Sequence, residues 1–217
     1  MHILQGTKQL CQKYNIMPAR SRGQNFLIRG DVYEKVIAAA GLKPDDIVLE
    51  VGAGFGFLTE LLAWKVKRVI AVEVDSKLAE ALRARLRESG VKNVEIIETD
   101  ILKYQISNRP LPNPPLSKGR EGRGGYKIVA NLPYNITSRF LRRFLAEVEH
   151  KPSAMVLMLQ KEVAERICAK PGQMSLLAVA AQFYAMPKII APVSADCFWP
   201  QPKVESAIIS LKVHKVI

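Results

Sequence analysis

The chain has 217 residues, 48% hydrophobic and 24% charged, with 32 Lys and Arg against 20 Asp and Glu for a net charge of +12. That length carries one full α/β domain and a small appendage, and the positive field suits a polyanionic partner. The longest uninterrupted apolar runs, such as Ala154–Leu159, are six residues, far short of the ~20 that a bilayer span needs, so no membrane segment is expected. The three cysteines (Cys11, Cys168, Cys197) and three histidines (His2, His150, His214) lie far apart. Neither set has disulfide-framework or metal-ligand spacing, which argues against a metal site and for a reducing, cytoplasmic compartment. Met1–Gln12 mixes apolar and polar residues without an apolar signal core.

Residues 1–24 are polar and basic, and are expected to form an arm rather than a core element. Asp31 opens a helix to Ala40, stopped by Gly41. Ile47–Val51 reads as a buried strand, Leu58–Lys65 as a helix, and Arg68–Val74 as the next strand. Ser76 caps a helix to Glu88, and Val94–Glu98 is a third strand. Asn108–Gly125 holds four prolines and four glycines and reads as a disordered surface insertion. Its Gly119–Gly124 spacing is a near miss to a phosphate-binding loop, but Gly125-Tyr126 stands where Lys-Ser/Thr is required. Tyr126–Ala130 is a fourth strand and Ile136–Glu147 a helix. Ser153–Leu159 is a fifth strand, followed by helices Lys161–Ala169 and Ser175–Gln182. Ala185–Val193 and Val204–Val213 complete the sheet. The alternation predicts a Rossmann-like α/β fold: a mainly parallel seven-stranded sheet, an antiparallel last strand, and helices on both faces. The division is an arm at 1–24 and one domain at 25–217.

The chemistry gathers at strand ends, where open α/β sheets bind ligands. Gly52-Ala-Gly-Phe-Gly56 follows the first strand, but its third glycine comes one residue early for a dinucleotide fingerprint. Glu73 ends the second strand, 19 residues after Gly54, where a carboxylate accepts from ribose hydroxyls. Asp100 follows the third strand, placed to accept from an adenine amine. Singly, each acid is more often a cap of the next helix. At three successive strand ends the set fits a nucleoside with a zwitterionic tail, such as S-adenosylmethionine. Asn131-Leu-Pro-Tyr134 follows the fourth strand. The Asn131 amide oxygen and the Leu132 carbonyl, held by Pro133, are two fixed acceptors for an exocyclic amine, and Tyr134 offers a face to its ring. Alone, these four residues are equally an ordinary Asn-X-Pro turn.

Taken together, Gly23-Gln-Asn-Phe-Leu27, Glu50–Thr59, Val72–Asp75, Thr99-Asp100, Asn131–Asn135, Gln160–Val163 and Phe198–Ser206 resemble the KsgA-type ribosomal RNA adenine N6,N6-dimethyltransferases, with the Erm resistance methyltransferases as cousins. The likeness spans about residues 20–213, in the family's order. It implies a class I methyltransferase that dimethylates two adjacent adenosines of small-subunit ribosomal RNA from S-adenosylmethionine, as a monomer working on an assembly intermediate. It implies that Asn25 and Leu27 close over the methionine part of the cofactor, Gly52 and Gly54 pass beneath it, Glu73 holds the ribose and Asp100 the adenine. It further implies that Asn131 bonds both the cofactor's amino end and the target amine, that Tyr134 stacks on the target base, and that Phe198 packs its opposite face. Arg20, Arg22, Arg139, Arg142, Arg143 and Lys203 are the expected RNA contacts. The base must be extruded to react; no general base is evident, so the proton leaves to water.

Members of this family usually continue into a small helical domain, whereas this sequence stops at Ile217, so that domain is expected to be absent. Three rivals remain. An Erm-like enzyme would act on large-subunit RNA, though Leu132 favours the KsgA type. A non-catalytic RNA-binding assembly factor would keep the fold without transfer. A DNA adenine methyltransferase would favour a second proline at position 132. A dinucleotide oxidoreductase is remote, given the broken fingerprint.

Overall fold

The computed structural model of the chain describes residues 3–18, 23–104 and 126–214. In chain order the elements are α1 (Ile3–Lys13), β1 (Phe26–Leu27), α2 (Gly30–Ala40), β2 (Ile47–Val51), α3 (Phe57–Ala63), β3 (Arg68–Glu73), α4 (Ser76–Glu88), β4 (Val94–Glu98) and β5 (Lys127–Asn131). Then come α5 (Thr137–Arg142), β6 (Ala154–Gln160), α6 (Lys161–Ile167), α7 (Leu176–Tyr184), β7 (Ala185–Val193), β8 (Phe198–Trp199) and β9 (Ser206–Val213). Seven strands form one sheet in the order β4-β3-β2-β5-β6-β9-β7. The pairs β4-β3, β3-β2, β2-β5 and β5-β6 are parallel, and β9 runs antiparallel to both β6 and β7. The expected architecture is therefore present, with the last strand inserted between its two neighbours.

Side chains alternate across the sheet, as the two-residue period of a strand requires. Leu49, Val51, Ile70, Val72, Ile128 and Ala130 join one buried cluster, with Phe140 and Phe144. Val48, Val69, Ala71, Val129, Val156 and Met158 join the other, with Val36, Leu62 and Leu82. Strand order reverses between β2 and β5, so the loops leaving those two strands diverge and open a crevice.

Three elements depart from expectation. Residues 1–24 are not simply an arm. Ile3–Lys13 is helical because Ile3, Thr7, Leu10 and Cys11 fall on one stripe (i, i+4, i+7, i+8), and Cys11 and Ile16 pack with Phe55, Leu78 and Ala81. The helix expected over Ile136–Glu147 is divided: Tyr134–Ile136 is a 3₁₀ turn, Thr137–Arg142 is α, and Arg143–Glu147 is a π turn. A two-stranded sheet pairs Phe26 with Trp199 and Leu27 with Phe198, a contact too short to show a period in sequence. The insertion read at 108–125 lies outside the described residues.

One buried cation ties the sheet to α2. Lys127 Nζ donates to the carbonyls of Ala40 (3.1 Å) and Gly41 (2.6 Å) and pairs with Asp46 Oδ2 at 2.8 Å. Cations suit a helix C-terminus, where the last carbonyls lack partners, and both side chains are mostly buried, at 16% and 13% exposed. Lys127→Met is expected to lower stability by about 2 kcal/mol, a fall of roughly 4–8 °C in melting temperature for a chain this size. Circular-dichroism melting reads it, and an unchanged midpoint would contradict the role.

Candidate active site

The crevice at the strand-order reversal is a cavity of about 410 Å³, within the range of small-molecule sites. All seven residues expected to hold a cofactor line it: Asn25, Leu27, Gly52, Gly54, Glu73, Asp100 and Asn131. Its charge is opposite to that of the chain. The described lining carries three acids, Glu50, Glu73 and Asp100, and no Lys, Arg or His.

The glycine loop is built by backbone geometry. Gly54 (φ 57°) and Gly56 (φ 81°) sit in the left-handed region, and a Cβ on Gly56 would lie 2.3 Å from Leu82 Cδ1. Gly52 and Ala53 donate to the Val72 carbonyl (2.9 and 3.4 Å), drawing the loop toward β3. Glu73 completes the link. Its Oε2 accepts from Gly54 N (2.8 Å), and its Oε1 accepts from Val74 N (2.9 Å) and Asp75 N (3.0 Å). Three bonds leave part of the capacity of two carboxylate oxygens for a ligand hydroxyl. Burial raises the Glu73 pKa, and the three backbone donors offset part of that. Asp100 Oδ1 accepts from Leu102 N (2.9 Å), which orients the carboxylate at the end of β4.

Asn131 stands across the loop. A Cβ on Gly52 would lie 3.5 Å from the Asn131 carbonyl, so the two strand ends are in contact distance. Asn131 Nδ2 donates to the Asn25 carbonyl at 3.4 Å. A carbonyl only accepts, so this bond occupies the amide nitrogen and leaves Oδ1 available as an acceptor on a residue that lines the cavity. Leu132 N donates to the Met158 carbonyl (3.2 Å) and its side chain is buried. Pro133 holds φ −56° and ψ 131°, and both it and Asn135 line the cavity.

The other predicted residues are placed differently. Tyr134, between Pro133 and Asn135, does not line the cavity, and its hydroxyl meets Ser206 Oγ at 2.9 Å. Phe198 is 3% exposed in the core beside Leu27 and outside the cavity lining, because its strand pairs with β1. The ring expected against the far face of a target base is here a packing residue. Arg139, Arg142 and Lys203 are exposed. Arg142 is paired with Glu147 at 2.8 Å. Arg143 is half-buried and donates to the Tyr104 carbonyl (2.5 Å), a structural tie rather than a surface cation. Arg20 and Arg22 lie outside the described residues.

Gln24 and Glu50 are among the cavity residues given no role from sequence. Gln24 Nε2 donates to Asp75 Oδ2 at 3.2 Å, tying the segment before β1 to the start of α4. Glu50 is 1% exposed, and its Oε2 finds no hydrogen-bond partner among the described residues. Burial pushes its carboxyl up to about 8; the Thr59 hydroxyl offsets part of that, and the charge of Glu73 adds to it. The signal was there to find: an acid inside the apolar run Ile47–Val51 needs a reason.

The model of the ribosomal RNA adenine dimethylase family matches residues 18–216. The chain belongs to that family. As a member of the adenine dimethylases it is 43% identical over 211 residues to a ribosomal RNA small subunit methyltransferase A of Dehalococcoides mccartyi, an alignment covering 97% of this chain and 68% of that one. Among solved structures, this dimethylase resembles a dimethyladenosine transferase from Plasmodium falciparum (TM-score 0.73, 30% identity, 86% of this chain and 62% of that one). It also resembles the 23S rRNA methyltransferase ErmE (TM-score 0.73, 31% identity, 88% of this chain and 70% of that one). The fold is that of the class I methyltransferases. No helix among the described residues is long and apolar enough to cross a membrane, and no group of three His, Cys, Asp or Glu there is placed to hold a metal.

Proposed function

We propose that the chain transfers methyl groups from S-adenosylmethionine to the N6 amines of two adjacent adenosines in small-subunit ribosomal RNA. The observation that carries this reading is a cavity whose charged lining among the described residues is acidic only, and which is lined by Asn131 with its amide nitrogen taken by the Asn25 carbonyl. Three acids without a base, one of them (Glu50) held protonated by burial until a positive centre favours its ionised form, suit a ligand with positive centres, a sulfonium and an ammonium, and oppose a pyrophosphate. The bound cofactor supplies a methyl group on an electrophilic sulfur. Asn25, Leu27, Gly52 and Gly54 would hold its methionine end, Glu73 its ribose and Asp100 its adenine.

The chain's own work is placement. Asn131 Oδ1 and the Leu132 carbonyl accept the two N6 protons, which localises the amine lone pair and aims it into the cavity. Pro133 keeps both acceptors rigid, and Tyr134 is the platform for the extruded base. Arg139, Arg142 and Lys203, with Arg20 and Arg22, serve the phosphate backbone. Arg143 acts there through the fold. The protein works as a cytoplasmic monomer on an assembling small subunit.

A large-subunit target is the second reading, since the likeness to ErmE equals that to the Plasmodium enzyme in TM-score. Isolated ribosomal subunits treated with the protein and S-adenosylmethionine, then mapped by mass spectrometry, separate the two. Two dimethylated neighbouring adenosines in the small subunit are expected. Methyl groups on the large subunit alone would favour the Erm-like reading, and none on either would leave an RNA-binding factor.

A further inference from the structure

We propose that Ser206 is a positioning residue for methyl transfer: it tethers the hydroxyl of Tyr134 and so sets the plane of the ring on which the target base stacks. The proposal rests on the reading of Tyr134 as the base platform. Tyr134 opens a short 3₁₀ turn, Tyr134–Ile136, in which no residue is buried. Tyr134 is half-buried, so packing holds its ring only in part. Its far end is fixed instead, by the 2.9 Å contact between Tyr134 Oη and Ser206 Oγ, across 72 residues of sequence.

The other end of the tether is rigid. Ser206 is fully buried and begins β9, in register with Gln160 of β6 on one side and Val193 of β7 on the other. The preceding residue is pinned as well: Lys161 N donates to the Glu205 carbonyl (3.0 Å), and Lys161 Nζ to the Glu205 carboxylate (2.7 Å). A hydroxyl on a three-strand ladder thus holds the tip of a ring that packing covers only in part. A phenol bonded at its tip cannot swing about its side-chain torsions without breaking that bond. The ordering of the platform is then complete before the base arrives, so the base meets a preset plane beside the Asn131 acceptor. Burial raises the Tyr134 pKa, which keeps the phenol neutral and able to donate.

The test compares Ser206→Ala, Tyr134→Phe and the double variant, using purified small ribosomal subunits and radiolabelled S-adenosylmethionine. Each single change removes one hydroxyl and keeps the ring. Each is expected to lower kcat about tenfold, the worth of one good hydrogen bond. The double variant is expected to match the singles, because the two hydroxyls form one interaction. KM for the subunit and Kd for S-adenosylmethionine, read by calorimetry, are expected to move less than about twofold, since phosphate contacts dominate RNA affinity. Unchanged kcat in Ser206→Ala, or losses that multiply in the double variant, would overturn the tether. So would a fall in cofactor affinity and melting temperature matching the fall in kcat. Tyr134→Ala separates this proposal from the reading beneath it: full activity there removes the base platform itself. An inactive Tyr134→Ala beside a fully active Ser206→Ala removes only the tether.

Discussion

Asn131→Ala is expected to lower methyl transfer at least about a hundredfold while the protein stays folded. The magnitude follows from what is lost. Removing one preorganised hydrogen-bonding group at a reacting centre costs about 10²–10³ in turnover, and here the acceptor also orients the nucleophile. The fold should tolerate the change. Asn131 ends β5, its backbone pairing with Met158 does not involve the side chain, and its side chain bonds to the Asn25 carbonyl at 3.4 Å. Losing that bond loosens the Asn25 segment, so cofactor affinity is expected to fall a few-fold, far less than turnover. Single-turnover methylation and calorimetry on the same variant separate the two effects. Turnover within about fivefold of the parent would show that the amide does not position the amine.

Much of this site was readable because it is built on strand ends. Ile47–Val51 and Ala185–Val193 were read with both ends in place, and the apolar runs read as Tyr126–Ala130 and Ser153–Leu159 are strands lying one residue further on, Lys127–Asn131 and Ala154–Gln160. Once those ends were fixed, Gly52, Glu73, Asp100 and Asn131 had to lie at one edge of one sheet. What was not readable is contact made across the chain. The two-residue pairing of Leu27 with Phe198 carries no period, so the sequence did not show that Phe198, expected against the target base, is buried beside Leu27. The tie from Gln24 to Asp75 joins residues 51 apart in sequence. Arg143 sits in a basic cluster by sequence, yet its position on a π turn aims it at the Tyr104 carbonyl. In α1 the apolar stripe is diluted by Gln and Lys, and the packing of Cys11 on Phe55 and Leu78 supplies what composition conceals.

The cofactor-free protein is expected to lose stability as pH rises because of Glu50, and Glu50→Gln is expected to remove that slope. The carboxyl lies fully buried at the cavity wall, where burial pushes its pKa up to about 8 from the ordinary carboxyl value of 4.5. A raised carboxyl pKa means that the folded state holds the proton more tightly than the unfolded state. Stability from this group is therefore fully present below about pH 4.5 and is lost progressively as pH climbs toward 8. By pH 7 the loss is on the order of 3 kcal/mol. The amide of Gln has nearly the same shape and no charge to desolvate, so Glu50→Gln is expected to raise the melting temperature near pH 7 by about 5 °C or more. Little change is expected near pH 4.5. A cationic ligand reverses the argument, because a positive centre in the cavity favours the ionised carboxyl. Saturating S-adenosylmethionine is thus expected to stabilise the parent more at pH 8 than at pH 5.5, and Glu50→Gln nearly equally at both. Thermal scans across that pH range, with and without the ligand, test both halves. A Gln variant that melts below the parent at pH 8 without ligand would mean that Glu50 is ionised and paired in the folded protein.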